Sequence, residues 1–259
     1  MRVKLCCSSR SYARSLEAGA LTQLEWIDLC AHQLLLDGVD FDWTHFPRTD
    51  EDYLAQIKKL CADRCLTVAA VTAAQFFGAG LDTDEQVSEL KRWIDVALAL
   101  GSPLLCFPCG APLGSPGIAW RELILGLKYA CVHAKRQNVT LALQPAEGSL
   151  VASVADVRRA FKECDSAWLR VEPAAGDLSG EQAGPWATLL ADTVIIAAGL
   201  DRLDTFGADE NIDYRSVLAS LVQSRYRGFL SLQYAGEELE ADAVPRAVTW
   251  LRDMVAKAP

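Results

Sequence analysis

Short apolar runs of strand length alternate with segments of helical period along the whole chain. Residues 3–7, 38–43, 66–72 and 103–108 read as four strands, and residues 139–144, 167–172, 193–198 and 228–234 as four more. Between the runs, apolar positions recur three and four residues apart, the spacing of one helix face. Leu24, Ile27, Leu29, Ala31 and Leu34 follow Thr22 and Glu25, whose separation is that of a capping box. Tyr53, Leu54, Ile57 and Leu60 predict a helix from about Asp50, and Thr83 with Gln86 a capped helix ending at Gly101. Trp120, Leu123, Leu127 and Cys131 mark another, and Ser153 with Asp156 caps the next. The last two helices are expected at residues 212–222 and 243–255, on either side of the eighth strand.

Uniformly apolar strands separated by helices imply a parallel sheet covered on both faces. Eight such units favour closure into a (β/α)8 TIM barrel, which typically takes about 250 residues. Residues 1–259 are therefore read as a single domain, with no low-complexity linker to divide it. No Gly-x-Gly-x-x-Gly follows the first strand, which weakens a dinucleotide-binding reading. Active sites of such barrels lie at the C-terminal ends of the strands. That directs attention to Trp43, His45, Gln75, Pro108, Gln144, Glu172, Ala198 and Gln233.

Charge narrows the partners. With 25 basic and 34 acidic residues the net charge is −9, which argues against nucleic acid or an anionic membrane surface. The N-terminal Met1-Arg2-Val3-Lys4-Leu5 runs straight into the first strand, and no apolar stretch has the length of a signal core or a membrane span. Nine scattered cysteines are an odd count, unlike a disulfide scaffold, so free thiols and a cytoplasmic location are expected.

Four stretches carry a family likeness: Leu24-Glu25-Trp26-Ile27-Asp28-Leu29, Asp37-Gly38-Val39-Asp40-Phe41, Lys91-Arg92-Trp93-Ile94-Asp95-Val96-Ala97 and Leu230-Ser231-Leu232-Gln233-Tyr234. In this order they resemble the xylose-isomerase-like barrels, which include sugar and sugar-phosphate isomerases and epimerases and an endonuclease branch. The resemblance implies a divalent metal (Mn, Mg, Co or Zn) at the barrel mouth, held by Glu, Asp, His and Glu from strands five to eight. The matching positions here are Gln144, Glu172, Ala198 and Gln233. In the family's epimerases the two glutamates also move the substrate proton, which an amide cannot do near neutral pH. The expectation is therefore a divergent member with a degraded metal site, needing no metal cofactor. It would be a carbohydrate- or polyol-binding protein or pseudoenzyme, with an isomerase or epimerase of altered chemistry as the alternative.

The candidate catalytic groups for that alternative are Glu172, His45 and Glu147, and those lining a pocket are Gln144, Gln233, Trp43, Gln75, Tyr234 and Asp201. His45 can donate to a substrate or act as acid or base near pH 7, or make an ordinary structural contact. Trp43, Phe76, Phe77 and Tyr234 offer an aromatic wall for a sugar face, or simply fill volume. Glu172 is as readily a salt-bridge partner of Arg170 or Arg202. Cys106-Phe107-Pro108-Cys109 has the spacing of a redox pair or half a zinc site, against the plainer reading of buried free cysteines.

Overall fold

The computed structural model describes residues 3–78, 82–112 and 114–257; Met1 and Arg2, which fall in the N-terminal segment read above, lie outside them. Eight parallel strands form one sheet: β1 (Lys4–Ser8), β2 (Gly38–Asp42), β3 (Thr67–Thr72), β4 (Leu104–Pro108), β5 (Thr140–Gln144), β6 (Leu169–Val171), β7 (Ile195–Leu200) and β8 (Phe229–Tyr234). Neighbours pair in the order β6-β5-β4-β3-β2-β1-β8-β7. Parallel bridges from Val171 to Thr193 and from Ala174 to Ala197 join β6 to β7 and close the ring. The chain folds as the expected (β/α)8 barrel.

Nine α-helices are described: α1 (Ala13–Glu17), α2 (Gln23–His32), α3 (Glu51–Asp63), α4 (Thr83–Leu100), α5 (Pro116–Gln137), α6 (Val154–Cys164), α7 (Ala183–Ala187), α8 (Tyr214–Gln223) and α9 (Glu240–Lys257). The capping box at Thr22 and Glu25 is formed, as is that at Ser153 and Asp156. Removing the Thr22 hydroxyl orphans the Glu25 amide, so Thr22→Ala should cost about 1 kcal/mol. For a chain of this size that lowers the thermal midpoint by roughly 2–4 °C, a shift readable by circular dichroism. The cap of α4 differs from expectation: Asp82 accepts from the amides of Asp84 and Glu85. Gln86 instead accepts from the Phe77 amide across the preceding loop.

The main core fills the layer between strands and helices, where Trp26, Phe41, Ile57, Ile94, Leu127 and Leu251 are buried. A second cluster of small residues, Cys6, Ala70, Cys106 and Ala142 with Ile195, is enclosed by the strands. Phe76 and Phe77 belong to the main core rather than to an aromatic wall. The Phe77 ring packs so closely on α5 that a Cβ at Gly126 would stand 2.2 Å from it. Among the described residues, no helix is long and apolar enough to cross a membrane.

Candidate functional site

Alternation along β2 places Gly38, Asp40 and Asp42 on one face of the strand and Val39 and Phe41 on the other. Val39 and Phe41 join the core beneath the helices, so the polar face looks into the barrel. The ends of the other strands repeat this pattern. Asp42, Thr72, Pro108, Gln144, Gly199 and Gln233 all come from strand C-termini and line one cavity of about 990 Å³. This is the end of the barrel at which active sites form.

Of the residues read from the sequence, His45, Gln144, Gln233, Trp43, Gln75, Tyr234 and Asp201 are brought together in the cavity wall. Trp43 is 42% exposed and presents its ring at the rim. Tyr234 is buried, and its hydroxyl donates to the Glu238 carbonyl at 3.3 Å. Gln75 lies against the backbone of Gly110, where a Cβ would be 2.6 Å from its Nε2. Glu147 is not part of the wall; it sits on an exposed turn after β5. Ala198 also corrects the register read from the sequence. It is buried in the core outside the strands, and the β7 residues that line the cavity are Gly199 and Leu200.

Glu172 is buried, 1% exposed, and lies outside the wall. Its Oε2 accepts from Gln144 Nε2 at 2.9 Å, while Oε1 has no hydrogen-bond partner. The salt bridges considered for it are absent: Arg170 stands 4.0 Å from Asp192 and Arg202 3.3 Å from Glu210. Gln233 lines the wall with a half-buried side chain.

The sequence reading missed the second buried carboxyl, Asp40. It accepts from Ser231 Oγ at 2.8 Å and from Thr72 Oγ1 at 3.2 Å, and it is fully buried. Burial, and then the nearby Glu172 carboxyl, push its pKa up to about 8. Burial also pushes Glu172 up, against the opposing influence of the Cys106 thiol and the Gln144 amide. Two carboxyls buried in the barrel interior are therefore both pushed toward holding their protons above the pH at which exposed ones ionise. Cys106 and Cys109 are both free and buried, with thiols pushed up chiefly by burial. Among the described residues, no three His, Cys, Asp or Glu side chains are grouped so as to hold a metal ion.

The rim carries mixed charge. Asp42 accepts from the amide and hydroxyl of Thr44 at 3.0 and 2.5 Å, and stands 3.7 Å from the Arg10 guanidinium. Arg14 is bound to Glu240 and to the carbonyls of Glu237 and Glu238. Glu17, Asp201 and Glu237 add carboxylates to the wall. Asp209 is already engaged, accepting from the amides of Asp201, Asn211 and Ile212.

A closed parallel barrel with a polar cavity at its strand C-termini places the protein among the (β/α)8 barrels whose site lies at the mouth. More specifically, the chain belongs to the xylose isomerase-like TIM barrel family, whose sequence model matches residues 30–254. A search of curated proteins returned no match. Among solved structures, the barrel is similar to L-ribulose 3-epimerase, with a TM-score of 0.79, 15% identity, and 99% of this chain and 95% of that one covered. It is likewise similar to 3-keto-D-glucoside 4-epimerase from E. coli, with a TM-score of 0.74, 16% identity, and 97% and 100% covered. D-psicose 3-epimerase from Clostridium cellulolyticum H10, solved with D-tagatose, gives a TM-score of 0.74 at 12% identity, with 99% and 93% covered. At these identities the likeness is one of fold.

Proposed function

We propose that the protein binds a small, uncharged carbohydrate or polyol in the barrel mouth, without a divalent metal and without an epimerase's proton transfers. One observation carries the reading: the C-terminal ends of β5 and β8 place the amides Gln144 and Gln233 in the cavity wall, and Gln144 turns its N–H toward Glu172. A proton donor therefore stands where a cation would need an oxygen. A hard divalent cation is held by several oxygen ligands with carboxylate charge among them, and this set offers one buried carboxyl and two amides. The residues do not fit the metal that the family resemblance implies. Neither amide can take a proton from carbon near neutral pH.

Amides of this kind both donate and accept, which suits the hydroxyl pattern of a sugar. The exposed ring of Trp43 adds a flat apolar face at the rim. That the solved neighbours named above are epimerases of sugars supports the ligand class. The charge of the wall argues for an uncharged ligand over a phosphorylated one. Six carboxylates line the cavity against two guanidiniums, and Arg14 is already taken by Glu240 and two carbonyls.

The test is thermal unfolding against a panel of neutral sugars, polyols and sugar phosphates, each with EDTA or with manganese or cobalt. A ligand at a hundredfold excess over its Kd stabilises by about 2.7 kcal/mol, roughly 5–10 °C here. We expect such a shift from a neutral ligand, unchanged by EDTA, and none from either metal alone. A manganese or cobalt shift lost in Glu172→Ala would sink the metal-free reading.

A further inference from the structure

His45 lies just after β2, in the short turn Trp43–His45, and lines the cavity while remaining only 9% exposed. Its Nδ1 is 2.8 Å from Ser9 Oγ. Its Nε2 is buried and has no partner. Ser9 itself is fully buried and lies outside the cavity wall. That excludes the nucleophile role which a serine beside a histidine suggests.

Proton accounting around Ser9 decides the state of the ring. The Asp42 amide donates to Ser9 Oγ at 2.9 Å. An amide N–H can only donate, so Oγ is an acceptor in that bond and its own proton must go elsewhere. The other polar atom bonded to Oγ is His45 Nδ1. If Nδ1 carried a proton, the serine hydroxyl would be left buried with nothing to donate to. If Nδ1 is bare, the hydroxyl donates to it and both groups are satisfied. The second arrangement puts the ring proton on Nε2. Protonating the ring would break the same bond, and burial already lowers the tendency of His45 to charge. The groups that act on it are Asp42, Glu17 and Glu240, which favour the charged ring, and Arg10, which opposes it. Asp42 and Glu240 are occupied by Thr44 and by Arg14 with Ser15.

We propose that Ser9 and the Asp42 main chain lock His45 as the neutral Nε2–H tautomer, and that this N–H donates to a carbonyl or hydroxyl oxygen of the ligand. The donor role rests on the carbohydrate-binding reading above; the tautomer does not. His45 is then a specificity-determining donor that fixes one ligand oxygen on the β1–β2 side of the mouth, with Gln233 on the adjoining strand β8 and Gln144 farther round the ring on β5. It is not a general base, because Nδ1 is taken by the Ser9 hydroxyl and Nε2 already carries a proton.

The chain has three histidines, so the ring states can be read by two-bond proton–nitrogen correlation on 15N-histidine protein. His32→Gln and His133→Gln supply the assignment, both lying on outer helices. The expected spectrum shows a bare Nδ1 and a protonated Nε2 for His45, unchanged from pH 8 to pH 5.5, with mixed tautomers in Ser9→Ala. A protonated Nδ1, or a ring that charges near pH 6.5 like an exposed histidine, overturns the lock. For the donor role, D-fructose and D-glucitol are titrated as probes. Binding should move the His45 Nε2–H resonance, weaken at least tenfold in His45→Phe and recover in part in His45→Gln. Saturable binding that leaves that resonance unmoved overturns the donor role. Absence of binding by any neutral sugar or polyol would overturn the proposed function and the donor role with it, and the tautomer would still be decided by the ligand-free spectrum.

Discussion

Stability against unfolding should fall by on the order of 4 kcal/mol between pH 5 and pH 8, and Asp40→Asn should remove most of that fall. The sign follows from the direction of the shift. In the folded chain Asp40 is pushed up to about 8 from an ordinary value of 3.8, first by burial and then by Glu172. Between those values the unfolded chain has lost this proton and the folded chain keeps it. The unfolded state binds fewer protons, so stability drops as pH rises. Above pH 8 both states are ionised and the loss is complete. Each unit of difference is worth about 1.4 kcal/mol, and a loss of this size lowers the thermal midpoint by roughly 10 °C. Asn has the shape of the neutral acid; its oxygen can accept from one of the Ser231 and Thr72 hydroxyls while its NH2 donates to the oxygen of the other, as the acid's own O–H would. The variant should melt near the wild type at pH 5 and well above it at pH 9, with a residual slope from Glu172, which burial also pushes up. A wild-type midpoint that is flat from pH 5 to pH 9 would show that the interior holds no such proton.

That buried pair also shows where sequence reading stops. The eight strands were legible because each is a short apolar run, and the caps at Thr22 and Ser153 because their partners sit three residues away. Asp40 stands within Gly38-Val39-Asp40-Phe41-Asp42, a stretch whose apolar residues read as a buried strand. The alternation there was the signal: polar residues at every second position point into the barrel, while Val39 and Phe41 point out. The register of β7 was misread for the opposite reason. Val194 to Leu200 offers no polar residue to mark a face, so the strand end moved and Ala198 took the place of Gly199. For Phe76 and Phe77 the volume-filling alternative holds, and the space that admits the Phe77 ring is left by Gly126 on α5, which no local pattern links to it. The short turns and helices from Ser9 to Glu17 and from Ala175 to Asp192 carry too few residues for a period to be seen. The Ser9–His45 pair was hidden with them.

Glu240→Ala should cost about 2–3 kcal/mol, the penalty of orphaned part-buried donors, and lower the thermal midpoint by roughly 4–12 °C. No sequence pattern links Glu240 to its partners, which lie at the other end of the chain. Its Oε1 accepts from the Arg14 amide at 2.8 Å and Arg14 Nε at 3.3 Å, and its Oε2 from the Ser15 amide at 3.1 Å and hydroxyl at 2.6 Å. Those amides belong to the first turn of α1, where no earlier carbonyl of the helix is available to accept from them. The carboxylate is 5% exposed, so water does not replace it readily once removed. Arg14 in turn donates to the carbonyls of Glu237 and Glu238, which ties the loop after β8 to the same knot. Both α1 and this loop line the cavity, so the substitution should loosen one wall of the site as well as weaken the fold. Hydrogen exchange should accelerate at residues 13–17 and 235–240 while β3 to β5 stay protected. Glu240→Gln keeps one carbonyl oxygen for an amide and should lose less than Ala. High salt screens charge but leaves short buried hydrogen bonds in place. Wild-type protein in 1 M NaCl should therefore not reproduce the loss seen in Glu240→Ala; if it does, the pair acts through simple charge attraction and the wall is not built on these hydrogen bonds.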